Sequence, residues 1–202
     1  MATISLVTVG AKITATLMNL VIAAINGGGH VWADSSARNA QTGMTVGAKG
    51  TQTDTGATYR YDGSAWKVWE AAPTTYSPTL TGFGGTTPTT VASYSVTGGR
   101  YIVDIAVTFV SGTTLSTHPY ATLPAATAAS YLQDAMLGRA YLLVAGNNYP
   151  ASTLRYTSTS LITAYPETAS GTYIGVASVS SSVPATWATG SIWRVHAEYL
   201  PA

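Results

Sequence analysis

The chain has 202 residues, enough for one ordinary domain and a smaller piece. Charged side chains make up 8% of it, against about a quarter in ordinary soluble domains, and the formal net charge is +1. A hydrophobic content of 46% with so little net charge excludes a disordered chain, and the lack of cysteine excludes disulfides and thiol chemistry.

The nine basic residues are scattered singly from Lys12 to Arg194, with no run that could track phosphates, so nucleic-acid binding is not expected. The opening "MATISLVTVGAKITATLMNL" lacks a basic segment before its apolar part, which makes it a poor secretory signal. No uncharged apolar run reaches the roughly 20 residues of a membrane helix. The expectation is a soluble protein made in the cytosol. A nearly neutral surface gives weak colloidal repulsion, so the composition suits a chain that lives inside an assembly.

Residues 14–26, "TATLMNLVIAAIN", form the one convincing helix pattern. Thr14 or Thr16 can cap its start, and the glycines at 27–29 stop it. Ile13, Leu17, Leu20, Val21, Ala24 and Ile25 make a broad apolar stripe, with Met18 and Ile22 on its flanks. A helix apolar nearly all round must be buried, either against its own chain or against copies of itself. The spacing 13, 17, 20, 24 is a short heptad seam, which favours self-association.

Residues 30–75 form a small second block. "ATYRY", "DGS" and "AWKVWE" read as a β-hairpin, because Asp62-Gly63 suits the positive φ of a tight turn. Alternation spreads Tyr59, Tyr61, Trp66 and Val68 over the two faces, with Trp32 and Trp69 at the edges. A lone hairpin is marginal in water, so Tyr59, Tyr61, Trp66 and Trp69 are expected to act as an assembly wedge, covered by a neighbouring subunit or by the head. "APTTYSP", residues 72–78, reads as the linker to that head.

Residues 76–202 are β-rich. "RYIVDIAVTFV" sets Tyr101, Val103, Ile105, Val107 and Phe109 on one face. Other strand candidates are "TVASYSV", "GRAYLLVAG", "TLRYTST", "SLITAYP", "GTYIGVASVS" and "SIWRVHAEYL", punctuated at Gly98-Gly99, Gly112, Gly146-Asn147-Asn148, Pro166, Gly171 and Pro184. Short strands with turns between them and no long helix indicate an antiparallel β-sandwich or jelly roll.

Chemistry is sparse. His30, His118 and His196 lie far apart and none has a partner at metal-ligand spacing, so no metal or other cofactor is expected. Arg194, His196 and Glu198 alternate on one strand face, which reads as a hydrated outer face or a polar subunit contact. Asp104, mid-strand, is expected to point outward or pair with Arg100 or Arg139. The acids Asp104, Asp134, Glu167 and Glu198 form no pair visible in the sequence, and neither a Gly-x-Ser-x-Gly elbow nor a phosphate loop occurs. Thirteen tyrosines and five tryptophans against two phenylalanines make a biased aromatic set with polar tips, suited to sugar or protein contacts. Tyr120, Tyr131, Tyr149 and Trp187 are read as loop aromatics. Tyr120, Tyr149 and Trp187 are the candidate ligand contacts, on loops near 113–120, 147–150 and 181–187.

Residues 37–70, "ARNAQTGMTVGAKGTQTDTGATYRYDGSAWKVWE", resemble a short β-unit of tail-fibre and minor tail proteins of long-tailed bacteriophages. The usual pattern has an Arg near its start, a Gly-Asp before "QTDTG", and the "YRYDGSAW" hairpin; here Gly47-Ala48 stands in place of Gly-Asp. "VGAKITATLMNLVIAAIN" is similar to the helix that opens such proteins, and "YSPTLTGFG" and "WATGSIWRVHAEYLPA" look like the first and last strands of their jelly-roll heads. The resemblance implies a non-enzymatic structural protein of the virion surface. It would be a homotrimer with a helix over residues 1–29, a hairpin unit over 30–75 and a head over 76–202 that touches a host surface glycan or protein. An alternative is a capsid decoration protein held to other virion proteins by its N-terminal segment. A polysaccharide depolymerase is a distant third.

Overall fold

The computed structural model describes residues 29–128, 130–170 and 173–202. The expected N-terminal helix, with Ile13, Leu17, Leu20, Val21, Ala24 and Ile25, lies outside the described residues. The chain is mostly β and divides into two compact units at Val68/Trp69.

The described part of the first unit holds β1 (His30–Trp32), α1 (Ser35–Asn39), β2 (Lys49–Gln52), β3 (Thr58–Tyr61) and the start of β4 (Trp66–Thr75). β1 runs parallel to β2, β2 antiparallel to β3, and β4 follows β3. The one-turn helix α1 was not expected from its sequence; Asp34 caps it, its carboxylate accepting from Ala37 N at 2.9 Å. The β3–β4 hairpin forms as expected, over a longer loop than a two-residue turn. Asp62 N donates to Ala65 O at 3.1 Å, and Gly63 takes φ +108. The segment expected as a linker starts inside β4, which runs on through Pro73 to Thr75 and pairs with β6 across a register shift.

The second unit comprises the rest of β4 with β5 (Leu80–Gly85), β6 (Thr89–Thr97), β7 (Arg100–Thr108), β8 (Thr113–Thr122), β9 (Met136–Val144), β10 (Asn147–Arg155), β11 (Leu161–Ser170), β12 (Tyr173–Val176) and β13 (Ile192–Tyr199). Its strand order is β4-β6-β7-β13-β9-β10-β11-β8-β5, with β12 on β11. Every pairing in it is antiparallel. Strands β9, β10 and β11 form a meander, and β13 returns beside β9, giving the 4-1-2-3 order of a Greek key. Two hairpins close through two-residue loops with positive φ at both positions, Gly98-Gly99 and Ala145-Gly146.

The sheet turns back on itself around one apolar core. Phe83 of β5, at one end of the strand order, packs edge-on against Phe109 and Trp193 at 5.8 and 6.0 Å. Val103, Ile105, Val107 and Phe109 are fully buried, as their alternation predicts, and Tyr101 stacks on Tyr199 at its margin. Trp193, Val195, Ala197 and Tyr199 do the same along β13. Each large apolar side chain so buried contributes about 1.5–3 kcal/mol.

Pro184 lies between strands as expected, but Pro166 does not. Pro119, Pro150 and Pro166 sit within β8, β10 and β11, not in loops. At Pro119 the ladder is interrupted, because the β5–β8 register shifts between Thr81 and Phe83, so the missing N–H costs no regular bond there.

Candidate functional site

The expected wedge residues part company. Tyr59, Tyr61 and Trp66 gather in the first unit, whereas Trp69 belongs to the second, where its carbonyl accepts from Gly99 N at 2.8 Å. The rings of the first unit pack on one another, with Trp32 and Tyr59 buried and Tyr61 and Trp66 half-buried. Trp32, 4% exposed, lies at the centre: its ring meets Trp66 edge-on at 4.6 Å, Tyr59 at 6.3 Å and the stacked His30 at 5.8 Å. Tyr61 meets Trp66 at 5.4 Å. Tyr59, 9% exposed, already has Trp32 and the Arg38 guanidinium against its ring. The parallel strand β1, which local hairpin signals cannot reveal, brings Trp32 onto it.

The polar residues of the same motif link its pieces. Arg38 places its guanidinium over the Tyr59 ring at 4.1 Å and donates to Gln52 Oε1 at 2.7 Å; Gln52 donates in turn to Asp54 at 2.8 Å. Around the tight loop, Asp62 Oδ1 accepts from Ser64 N, Ser64 Oγ and Ala65 N at 2.7–2.9 Å. Those bonds stabilise the carboxylate and pull its pKa down from 3.8 to about 2. The turn before β2 closes through main-chain bonds, Ala48 N donating to Thr45 O at 3.0 Å and Gly47 N to Tyr61 O at 2.8 Å.

None of the three candidate ligand-contact tyrosines and tryptophans stands on a free loop tip. Tyr120 lies on β8 beside Tyr156, ring centroids 5.0 Å apart, and Tyr149 lies on β10 against the core. Trp187 does follow β12 in a loop, but it stacks on Phe109 at 4.9 Å and donates from Nε1 to Val183 O at 3.3 Å. Loops 113–120 and 147–150 are strand, because their alternating residues complete the β5–β8 and β9–β10 ladders.

The histidines occupy three unrelated settings. His30 is part of the Trp32 cluster. His118 lies with Nδ1 3.2 Å from Val179 O and Nε2 2.7 Å from Thr163 Oγ1, beside the rings of Tyr156 and Tyr165. His196 is on the outer face of β13, its Nδ1 3.1 Å from Asp104 Oδ1.

That outer face carries the chief polar constellation of the second unit. Register sets His196 opposite Asp104 and Arg194 opposite both Ala106 and Tyr141. Asp104 pairs with His196 and, at 3.9 Å, with Arg194, and Arg100 pairs with Glu198 at 3.3 Å. Asp104 points outward, as expected, and the arginine it pairs with is Arg194 of β13 in place of Arg100 or Arg139, because the adjacency of β13 to β7 is a tertiary fact. Asp104, Arg139, Tyr141, Arg194 and His196 line a shallow open groove floored by Ala140. These side chains are about half exposed. Exposed ion pairs are worth about 0–1 kcal/mol each, so the inner apolar face holds this sheet together and the groove residues are not needed for its stability.

Among the described residues no three His, Asp or Glu side chains converge as metal ligands, and no helix is long and apolar enough to cross a membrane. Comparison with protein-family models, with curated proteins and with solved structures gives no match.

Proposed function

We propose that this chain is a non-enzymatic structural protein of a bacteriophage virion surface, a trimeric tail-fibre or minor tail protein whose β-sandwich head, of jelly-roll type, contacts the host. The observation that carries this reading is how the motif residues are used. Among the residues that carry the resemblance to phage tail proteins, Arg38 bonds to Gln52 and Gln52 to Asp54, Arg38 lies over Tyr59, Asp62 closes its loop on Ser64 and Ala65, and Trp66 packs on Trp32, so that all of them build the small β-unit. A motif spent on architecture suits a protein whose task is to position a head. The Greek-key order and self-packed sheet of the second unit suit such a head.

Quantitative mass spectrometry of purified particles, with immunogold labelling by an antibody to this chain, tests the proposal. A few copies at the tail, and an antibody that blocks adsorption, are the expected result. Many copies over the head would replace this reading with capsid decoration, and absence from particles would end both.

A further inference from the structure

The outer-face groove of the second unit has a composition that its structural role leaves unexplained. It presents two guanidinium groups, those of Arg139 and Arg194, against the one carboxylate of Asp104. Asp104 already serves His196 and Arg194. Arg139, on the neighbouring strand β9, is exposed and has no carboxylate partner among the described residues. Beside it Tyr141 is held in place: its hydroxyl donates to Asn148 Oδ1 at 2.6 Å, which fixes the ring on the sheet.

From this arrangement we infer that the groove binds an acidic saccharide through its carboxylate. Each part has a matching chemistry. Arg139 offers a planar fork that fits a carboxylate with two parallel bonds, which an ammonium could not supply. The Tyr141 ring is a rigid apolar plate for the C–H face of a pyranose, and it loses little entropy on binding. The Asp104 carboxylate offers oxygens that accept hydrogen bonds from sugar hydroxyls, and as an acidic group it disfavours densely charged polyanions such as nucleic acid. A ligand with one negative charge per residue, flanked by neutral hydroxyls, is complementary to this pattern. Gly138, just before Arg139, lets β9 lie close against β13: a side chain there would overlap the β13 backbone at His196 O.

This inference names the ligand class for the head in the function proposed above and rests on that reading for its biological role, while the binding itself is tested on the purified chain. The experiment is calorimetric titration of the full chain with oligogalacturonate, with its methyl ester, and with an oligomer of N-acetylneuraminic acid. At least one acidic oligomer is expected to bind in the millimolar range or tighter, more weakly as salt is raised, and the methyl ester is expected not to bind. Arg139→Ala should weaken binding by about ten- to a hundred-fold, the loss of a charge-assisted pair. Arg139→Lys should recover part of it, and Arg100→Ala, on the same face outside the groove, should leave it unchanged. Circular dichroism of each variant separates lost binding from lost fold. Equal binding of acid and ester, no effect of folded Arg139→Ala, or no binding of any acidic oligomer overturns the inference. Saccharide binding by a protein absent from virions would sink the virion reading and leave the groove standing.

Discussion

Two residues show how local geometry sets pH dependence. Asp62 is exposed, yet its carboxylate is held low by amide donors from Ala65 and Ser64 first, with Lys67 a minor contributor. Because its folded pKa lies below its unfolded value of 3.8, its contribution is fully present above that value and is lost as pH falls toward about 2. Thermal melts should show this loss between about pH 4 and pH 2 in the wild type and not in Asp62→Asn. The loss should persist in high salt, since hydrogen bonds and not a distant charge cause it. His118 obeys the same sign for another reason. Burial disfavours the imidazolium and lowers its pKa below 6.5, against the opposing bond to Val179 O. In the neutral ring Nδ1–H donates to Val179 O, and Nε2 then competes with Pro119 O for the single Thr163 hydroxyl proton. Stability is therefore expected to decline as pH falls below 6.5, where the unfolded chain takes up a proton first. Melting temperatures of His118→Asn across that range should lack this part of the decline.

At the scale of the element, the small aromatic unit is a question of which ring is central. Hairpin signals place Trp66 next to the Asp62-Gly63 turn, and the hairpin is there. The strand that covers it is β1, only three residues long and parallel to β2, so the period of alternation had too little length to reveal it. Gly50 is the quiet partner of this arrangement, since any side chain there would overlap the Trp32 ring and His30 O. Truncation should follow burial. Trp32→Ala is expected to cost about 3–5 kcal/mol and half-buried Trp66→Ala less, about 3 kcal/mol at most. Chemical denaturation followed by tryptophan fluorescence measures both, and equal costs or the reverse order would move the centre of the cluster elsewhere. In the head, β7 and β13 were legible because each alternates large apolar and polar residues over a full strand length. β8, "TTLSTHPYAT", has no such signal, because its proline and small polar residues hide the alternation; pairing with β5 and β11 makes it a strand.

For the whole molecule, the virion reading makes a demand on association. The seam Ile13, Leu17, Leu20, Val21, Ala24 and Ile25 lies outside the described residues, so the trimer rests on its heptad spacing and on the resemblance. Sedimentation at micromolar concentration is expected to return about three chains per particle, and Leu17→Asp with Leu20→Asp should dissociate it without altering the β signal in circular dichroism. A wild-type protein that sediments as a single chain would end the trimer. The groove adds a separate expectation, because its residues are spared from holding the fold.

What the sequence alone determined is whatever short-range pattern can carry: mostly β structure, the buried face of β7 and β13, the Asp62 hairpin, and the outward set Arg194, His196 and Glu198. These follow from the two-residue period of a strand and from turn stereochemistry, both local. Only the tertiary structure decided that Trp32 sits among Tyr59 and Trp66, and that Arg38 reaches Gln52. It also decided that Asp104 faces His196 beside Arg139 and Tyr141. Such neighbours are set by strand order between segments as much as 92 residues apart. Strand order is chosen by the burial of the sheet as a whole, which no local window of residues encodes.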